Sequence, residues 1–151
     1  MPVFEEEFLV NAKPEVVWAF LLDPKQVSPC VPGCESVEVE NDVTYHVRMT
    51  VKVGFLSTTQ RVRMVLTEVL PPRRLVAVGR GEDRRLGSNI DVQGVLELTP
   101  APEGATLVRY QSKMQVVGRL SSLGDAVMKR TAKRLTEGFV SNVRAAIEGT
   151  Q

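Results

Sequence analysis

Two periods divide this chain. Tyr45, Val47, Met49, Val51 and Val53 alternate with Thr44, His46, Arg48, Thr50 and Lys52, the pattern of a strand with one face buried and one in water. After a turn at Gly54–Ser57 the phase continues, with Thr58, Gln60, Val62, Met64 and Leu66 inward and Arg61 and Arg63 outward. The second period belongs to the end of the chain. From Gly118 to about Ile147, Leu120, Leu123, Val127, Met128, Leu135, Phe139, Val143 and Ala146 recur at steps of three and four. That spacing predicts a helix with one buried stripe, its charges (Lys129, Arg130, Lys133, Glu137, Arg144) mostly on the other side.

Between these signals the elements follow in order. Phe4, Phe8 and Val10 alternate on a first strand, and Pro14 opens a short helix carrying Val17, Trp18, Leu21 and Leu22. Asp23-Pro24 starts a second short helical turn that Pro29 ends. Six strands follow from Glu35, divided by turns at Gly54–Ser57, Pro71-Pro72, Glu82–Gly87 and Pro100–Gly104. Gly79 and Gly81 weaken the fifth strand or mark a bulge in it. The expected fold class is α+β: a seven-stranded curved antiparallel sheet wrapped on a long C-terminal helix, with two short helices between strands 1 and 2. Residues 1–151 form a single domain. Such layering encloses space that side chains need not fill. Gly124, Thr131 and Gly138 fall seven apart on the helix's apolar stripe. A helical glycine costs roughly 1 kcal/mol relative to alanine, so the stripe implies either close approach of helix to sheet or a groove between them.

Composition narrows the chemistry. The formal net charge of +1 on 151 residues gives no global pull toward nucleic acid. Cys30, Cys34 and His46 cannot complete a tetrahedral metal site without several carboxylates, so no cofactor is expected. The turn Cys30-Val-Pro-Gly-Cys34 is expected to carry free thiols. No apolar run is long enough to span a membrane and the N-terminus lacks a signal peptide, so the expected location is cytoplasmic.

The order of elements resembles the helix-grip fold of the START and polyketide-cyclase (SRPBCC) superfamily. Several motifs are similar to those of the G-subunit family of carbon monoxide dehydrogenase: Val16-Val-Trp18 with Leu21-Leu-Asp-Pro24, the Cys30–Cys34 turn, Val51-Lys-Val-Gly54, and Pro71-Pro-Arg-Arg-Leu75. The last is Gly118-Arg-Leu-Ser-Ser-Leu-Gly124 with Ala132-Lys-Arg-Leu135 and Phe139. Together they span nearly the whole chain. The resemblance implies an accessory protein of a molybdenum hydroxylase such as aerobic carbon monoxide dehydrogenase, in a superfamily that binds lipids and other hydrophobic molecules between sheet and helix. Several family members carry a C-terminal membrane anchor. No such segment is expected here up to Gln151, leaving at most transient residence at the inner membrane face.

In an antiparallel meander successive turns alternate between the two ends of the sheet. By parity the Cys30–Cys34 turn, the Gly54–Ser57 and Glu82–Gly87 turns and the Val117–Leu120 segment share one end. The expected mouth of the groove therefore holds Cys34, Leu56, Arg84, Arg85, Leu86 and Arg119. The tips there mix apolar and cationic residues, with Phe55 and Lys52 among them, which suits an anionic membrane surface or an acidic partner. The expected ligand-binding residues are Met49, Val51, Phe55, Met64, Ile90, Val92, Tyr110, Ser112, Met114, Leu120, Leu123 and Met128. Ser112, Gln60 and the Tyr110 hydroxyl are inward polar groups able to orient a carbonyl or headgroup, or to bond within the core. The function these residues suggest is a non-catalytic binder or carrier of a lipid or isoprenoid quinone. Two alternatives remain: a cyclase- or dehydratase-like enzyme, or a protein adaptor with an empty groove. For the enzyme, the inward faces offer few titratable groups beyond Tyr45, Tyr110 and the cysteines, and Cys34 would need its pKa lowered by the rim arginines.

Overall fold

A computed structural model describes residues 3–149. Along them run β1 (Val3–Val10), α1 (Pro14–Leu21), α2 (Pro24–Val27), β2 (Cys34–Asn41), β3 (Thr44–Val53), β4 (Leu56–Leu70), β5 (Arg74–Asp83), β6 (Ser88–Ala101), β7 (Ala105–Gly118) and α3 (Asp125–Glu148). The strands form one antiparallel sheet in the order β1-β7-β6-β5-β4-β3-β2. The meander from β2 to β7 is thus completed by β1, which pairs with β7 from Val3↔Lys113 to Val10↔Thr106. This is the expected α+β helix-grip architecture.

The period-two phase holds across the sheet. One inward row reads Tyr45, Met64, Gly79, Val92 and Met114, each directly opposite the next. The outward row beside it reads His46, Arg63, Arg80 and Asp91. His46 lies on the wet face, its Nε2 2.9 Å from Glu40 Oε1. In the β4–β5 ladder the register shifts between Leu66 and Glu68 of β4, and not at the glycines of β5, which pair in regular register.

The last helix starts later than its apolar period suggests. β7 runs through Gly118, and Arg119–Leu123 form a 3-10 turn, before α3 begins at Asp125. Gly118 and Gly124 bracket that turn at φ 98° and 89°, a region other residues adopt only at a cost. Leu120 and Leu123 are thus apolar residues of a turn that happen to continue the helical phase. The seven-residue stripe also resolves differently. A side chain at Gly138 would begin 2.9 Å from Pro32 Cγ, so this glycine admits the segment after α2, not the sheet. Thr131 is buried and donates its hydroxyl back to the Val127 carbonyl at 2.9 Å.

Three stretches of α3 meet three surroundings. At its C-terminal end Val143 and Ile147 enter the principal core with Phe8, Val10, Val17, Trp18, Leu98 and Val108. Arg144 fixes this end by donating from Nε to the Leu9 carbonyl at 2.8 Å, and Asn11 N–H donates to Glu148 Oε2 at 2.9 Å. Near the N-terminal end, Val127 and Met128 join a second cluster built on Val53, Leu86 and Leu120. The middle, at Leu135, Thr136 and Phe139, faces a cavity.

Candidate functional site

The cavity has a volume of about 340 Å³, within the range of small-molecule sites. Its floor is the inner sheet face, on which size is graded. Toward β2 and β3 stand Val37, Tyr45, Val47 and Met49; in the middle, Ala77 and Gly79 of β5 and Gly94 of β6 leave the sheet nearly bare; toward β7, Leu96 and Tyr110 rise again. Small inward residues on the central strands let the floor sink where neighbouring side chains would otherwise fill it. The roof is α3. The side wall is the segment from Leu21 to Pro32, which brings Leu21, Leu22, Pro24, Val27, Val31 and Pro32 against the space.

That side wall is held by specific local chemistry. Asp23 caps α2 by accepting the Lys25 N–H at 3.0 Å, and proline at the first turn has no N–H that would need an acceptor. The chain does not stop at Pro29 but continues as a 3-10 turn, Ser28–Cys30. Asn142 of α3 donates from Nδ2 to the Cys30 carbonyl at 3.0 Å, and Thr50 N–H donates to the Gly33 carbonyl at 2.9 Å. The wall therefore ties to both the roof and the floor. Cys30 is buried and both cysteines are free.

None of the cavity's lining residues is a lysine, arginine, histidine or carboxylate. Its polar atoms are few: the hydroxyls of Ser28, Tyr45, Tyr110 and Thr136 and the Cys34 thiol. Burial pushes the Tyr45 phenol above its ordinary pKa, and the Asp42 and Asp23 carboxylates push the same way. Burial likewise raises the Cys34 thiol, outweighing a hydrogen bond to the Ser36 carbonyl, and the Glu35 charge adds to the rise. Cys30 is also raised by burial. The rim arginines do not activate Cys34 as a nucleophile; it is a protonated thiol in an apolar wall. Raised in this way, the Tyr45 phenol and the two thiols keep their protons at neutral pH. The phenols are hydrogen-bond donors, and among the described residues neither tyrosine hydroxyl has a protein partner.

The structure divides the residues singled out from sequence into four groups. Met49, Met64, Val92, Tyr110 and Cys34 line the cavity. Leu86 and Leu120, with Val51, Leu56, Leu123 and Met128 against them, make the second cluster around Val53. They pack against one another, so this end of the molecule is plugged rather than open. Ile90, Ser112 and Met114 remain on the inner face without bordering the cavity. Phe55 is 79% exposed at the tip of the β3–β4 turn. Arg84 pairs with Glu82 at 3.3 Å, Arg85 donates to the Ser57 carbonyl at 2.7 Å, and Arg119 is exposed.

A buried polar network anchors the plug. Asp83 is 5% exposed, and its carboxylate accepts the Thr58 hydroxyl at 2.8 Å, Thr59 N–H at 3.1 Å and Leu86 N–H at 3.2 Å. Burial pushes the carboxyl up, but these hydrogen bonds and the Arg85 charge together hold it below the usual range. Gln60 donates to Thr58 Oγ1 at 2.9 Å, and Ser88 Oγ accepts Leu120 N–H at 3.0 Å. Of the two readings open for Gln60, the structure shows the internal one: its amide belongs to this network.

The side wall, Leu135, Thr136, Phe139 and the bare floor lie outside the ligand-contacting positions expected from the sequence. A signal existed for the floor: Ala77, Gly79 and Gly94 all fall on inward positions of adjacent strands. No local signal marked the wall, because its place depends on where α1 and α2 pack.

A curved antiparallel sheet gripping one long helix is the START-like fold. A START superfamily protein from Mycobacterium smegmatis superposes with a TM-score of 0.76 at 11% identity, over 99% of each chain. The Zhui aromatase/cyclase from a Streptomyces species gives 0.72 at 17% identity, over 97% of this chain and 93% of that one. A conserved protein from Geobacillus kaustophilus gives 0.90 at 22% identity, over 99% and 97%. Within that class, the chain belongs to the CoxG family, the G-subunit family of carbon monoxide dehydrogenase, whose model matches residues 7–148. No curated protein sequence matches it.

Proposed function

We propose that this protein binds and carries an uncharged hydrophobic small molecule, of the lipid or isoprenoid quinone type, between its sheet and last helix. The observation that carries this reading is the cavity's composition: about 340 Å³ of space walled by apolar side chains, with no ionisable group beyond tyrosine and cysteine. An ionised headgroup placed there would lose its hydration with no opposite charge to offset the loss. A neutral ligand bearing carbonyl or ether oxygens meets no such penalty and can accept hydrogen bonds from Tyr45 or Tyr110. Family membership supports a role beside a molybdenum hydroxylase, with this chain handling the apolar molecule and the partner the redox chemistry. The cyclase-type alternative is less well supported, since the wall holds no histidine or carboxylate and burial raises the Tyr45 phenol and the Cys34 thiol away from neutrality.

The test is to purify the protein from its own host, extract it with organic solvent, and identify released molecules by mass spectrometry. The expected result is a neutral apolar compound that raises the melting temperature of stripped protein when added back, while a fatty acid of similar length does not. Ala77→Leu and Thr136→Leu, which build into the cavity, should abolish that shift and leave folding intact. Failure to recover any ligand, together with no shift from added quinones or neutral lipids, would overturn the reading.

A further inference from the structure

The walls of the cavity are not equally fastened. At one end the cluster around Val53, Leu86 and Leu120 closes over a hydrogen-bonded network. The roof is tied down along α3: Arg134 donates to the Lys52 carbonyl at 2.6 Å, Asn142 to the Cys30 carbonyl at 3.0 Å and Arg144 to the Leu9 carbonyl at 2.8 Å. α1 is anchored by Val17, Trp18 and Phe20 in the principal core. The stretch between α1 and Cys30 differs from all of these. No residue of Pro24–Val27 is buried, and Val27 packs on the core only from its margin. The hydrogen bonds here are local: Lys25 N–H and Gln26 Nε2 donate to the Asp23 carboxylate at 3.0 and 2.8 Å, and Gln26 N–H and Val27 N–H donate to the Asp23 carbonyl at 3.0 and 2.9 Å. Among the described residues, none joins residues 24–29 to the sheet or to α3.

This weakly held stretch covers one margin of the cavity. Pro24, Val27 and Ser28 border the space from the side wall, and Val37 and Tyr45 border it from the sheet. α2 packs against β2, which is the last strand of the sheet, so no further strand closes the space beyond Val37. Val39, directly opposite Tyr45, is 56% exposed, and an apolar side chain thus leads from solvent to the phenol. Both flanks are fixed, by the core at α1 and by the bonds from Asn142 to Cys30 and from Thr50 N–H to the Gly33 carbonyl. A short segment with few buried side chains and self-contained hydrogen bonds, held between two fixed points, opens before its surroundings do.

We infer that residues 24–29 are the lid of the cavity, that the ligand passes between this lid and edge strand β2, and that the Asp23 cap sets how often the lid opens. That a ligand passes at all rests on the binding reading above; the motion of the lid does not. Asp23 suits this role because its side chain holds α2 together without bordering the cavity. A substitution there changes the entrance and leaves the site alone. Loss of the cap raises the population of the open lid in the empty and the loaded protein alike. Entry and exit then speed up together, and the dissociation constant stays where it was.

Stopped-flow fluorescence of the full chain with Nile red, a neutral apolar dye, tests the route. Asp23→Ala should raise the association and dissociation rate constants about fivefold each, with Kd unchanged. Asparagine caps a helix as well as aspartate does, so Asp23→Asn should leave both rates as they are. Asn142→Ala, which frees the far anchor of the lid, should speed both rates as Asp23→Ala does. Leu123→Ala, which thins the plug, should change neither. Hydrogen exchange reads the lid without any ligand: the Gln26 and Val27 amides should exchange about tenfold faster than the Thr50 amide, and faster still in Asp23→Ala. Dye rates that respond to Leu123→Ala and not to Asp23→Ala would place the passage at the plugged end and overturn the inference. Gln26 and Val27 amides as protected as Thr50 would overturn it whether or not the dye binds. Nile red that never binds, beneath a lid that does open, would instead overturn the binding reading, and this route with it.

Discussion

The plugged end and the middle of the space beneath α3 have the same scaffold and opposite fillings. Both lie on one face of one sheet and under one helix. At the plugged end the inward positions carry Thr58, Gln60, Asp83 and Ser88, whose polar atoms largely satisfy one another, and three buried apolar side chains close over them. In the cavity region the inward positions of the central strands carry Ala77, Gly79 and Gly94, and among the described residues the Tyr45 and Tyr110 hydroxyls have no protein partner. A buried polar cluster demands closure, because each unpaired group there costs free energy. An apolar hollow tolerates vacancy and accepts whatever apolar body fits it. The stability of the fold is thus concentrated at its ends, leaving the middle free to exchange a ligand.

Substitutions can break this contrast if it is wrong. Leu120→Ala should destabilise the protein by about 3 kcal/mol in urea unfolding, because the plug has no spare space to collapse into. Met49→Ala, facing the cavity, should cost about half as much. Equal costs would mean that the two regions are packed alike.

Asp83→Asn should cost about 2 kcal/mol, since its amide nitrogen must turn a donor either toward Leu86 N–H or toward the Thr58 and Thr59 donors. The same carboxylate predicts an acid limb. Its folded pKa lies below the unfolded value, so its contribution is complete above about pH 4 and drains away as pH falls through the folded value. The Asn variant should show a shallower loss of stability in that acid range.

The smallest effects come from the glycines. A methyl at Gly81 would sit 2.7 Å from Ile90 Cγ2 and 2.9 Å from Gln60 Oε1, so Gly81→Ala should cost about 1 kcal/mol. At Gly94 the nearest atom is Tyr110 Cε2 at 3.7 Å, and Gly94→Ala should change stability by less than about 0.5 kcal/mol. Ligand binding should respond in the reverse order, Gly94→Ala weakening it and Gly81→Ala leaving it alone.

The alternation from Tyr45 to Leu66 identified which side chains face the helix, and parity placed four turns at one end. Arg85 reaching Ser57 and Gly118 lying on Gly87 agree with that placement. What parity could not say was whether that end is open. Leu56, Leu86 and Leu120 looked like a rim and are a plug, because residues at turn tips fold inward when a turn such as Arg119–Leu123 curls over them. The helical period misled for the same reason: Leu120 and Leu123 keep its phase, yet Gly124 at φ 89° delays the helix to Asp125.

Residue order alone therefore determined the elements, their inward faces and the family, since periodicity and turn chemistry act over a few residues at a time. Tertiary structure decided where the vacancy lies and which residues wall it. That outcome depends on how far α3 stands off the sheet at each point. The stand-off is set by side chains distant in sequence: Pro32 against Gly138, Asn142 on Cys30, and the absence of side chains on Gly79 and Gly94, which border the cavity.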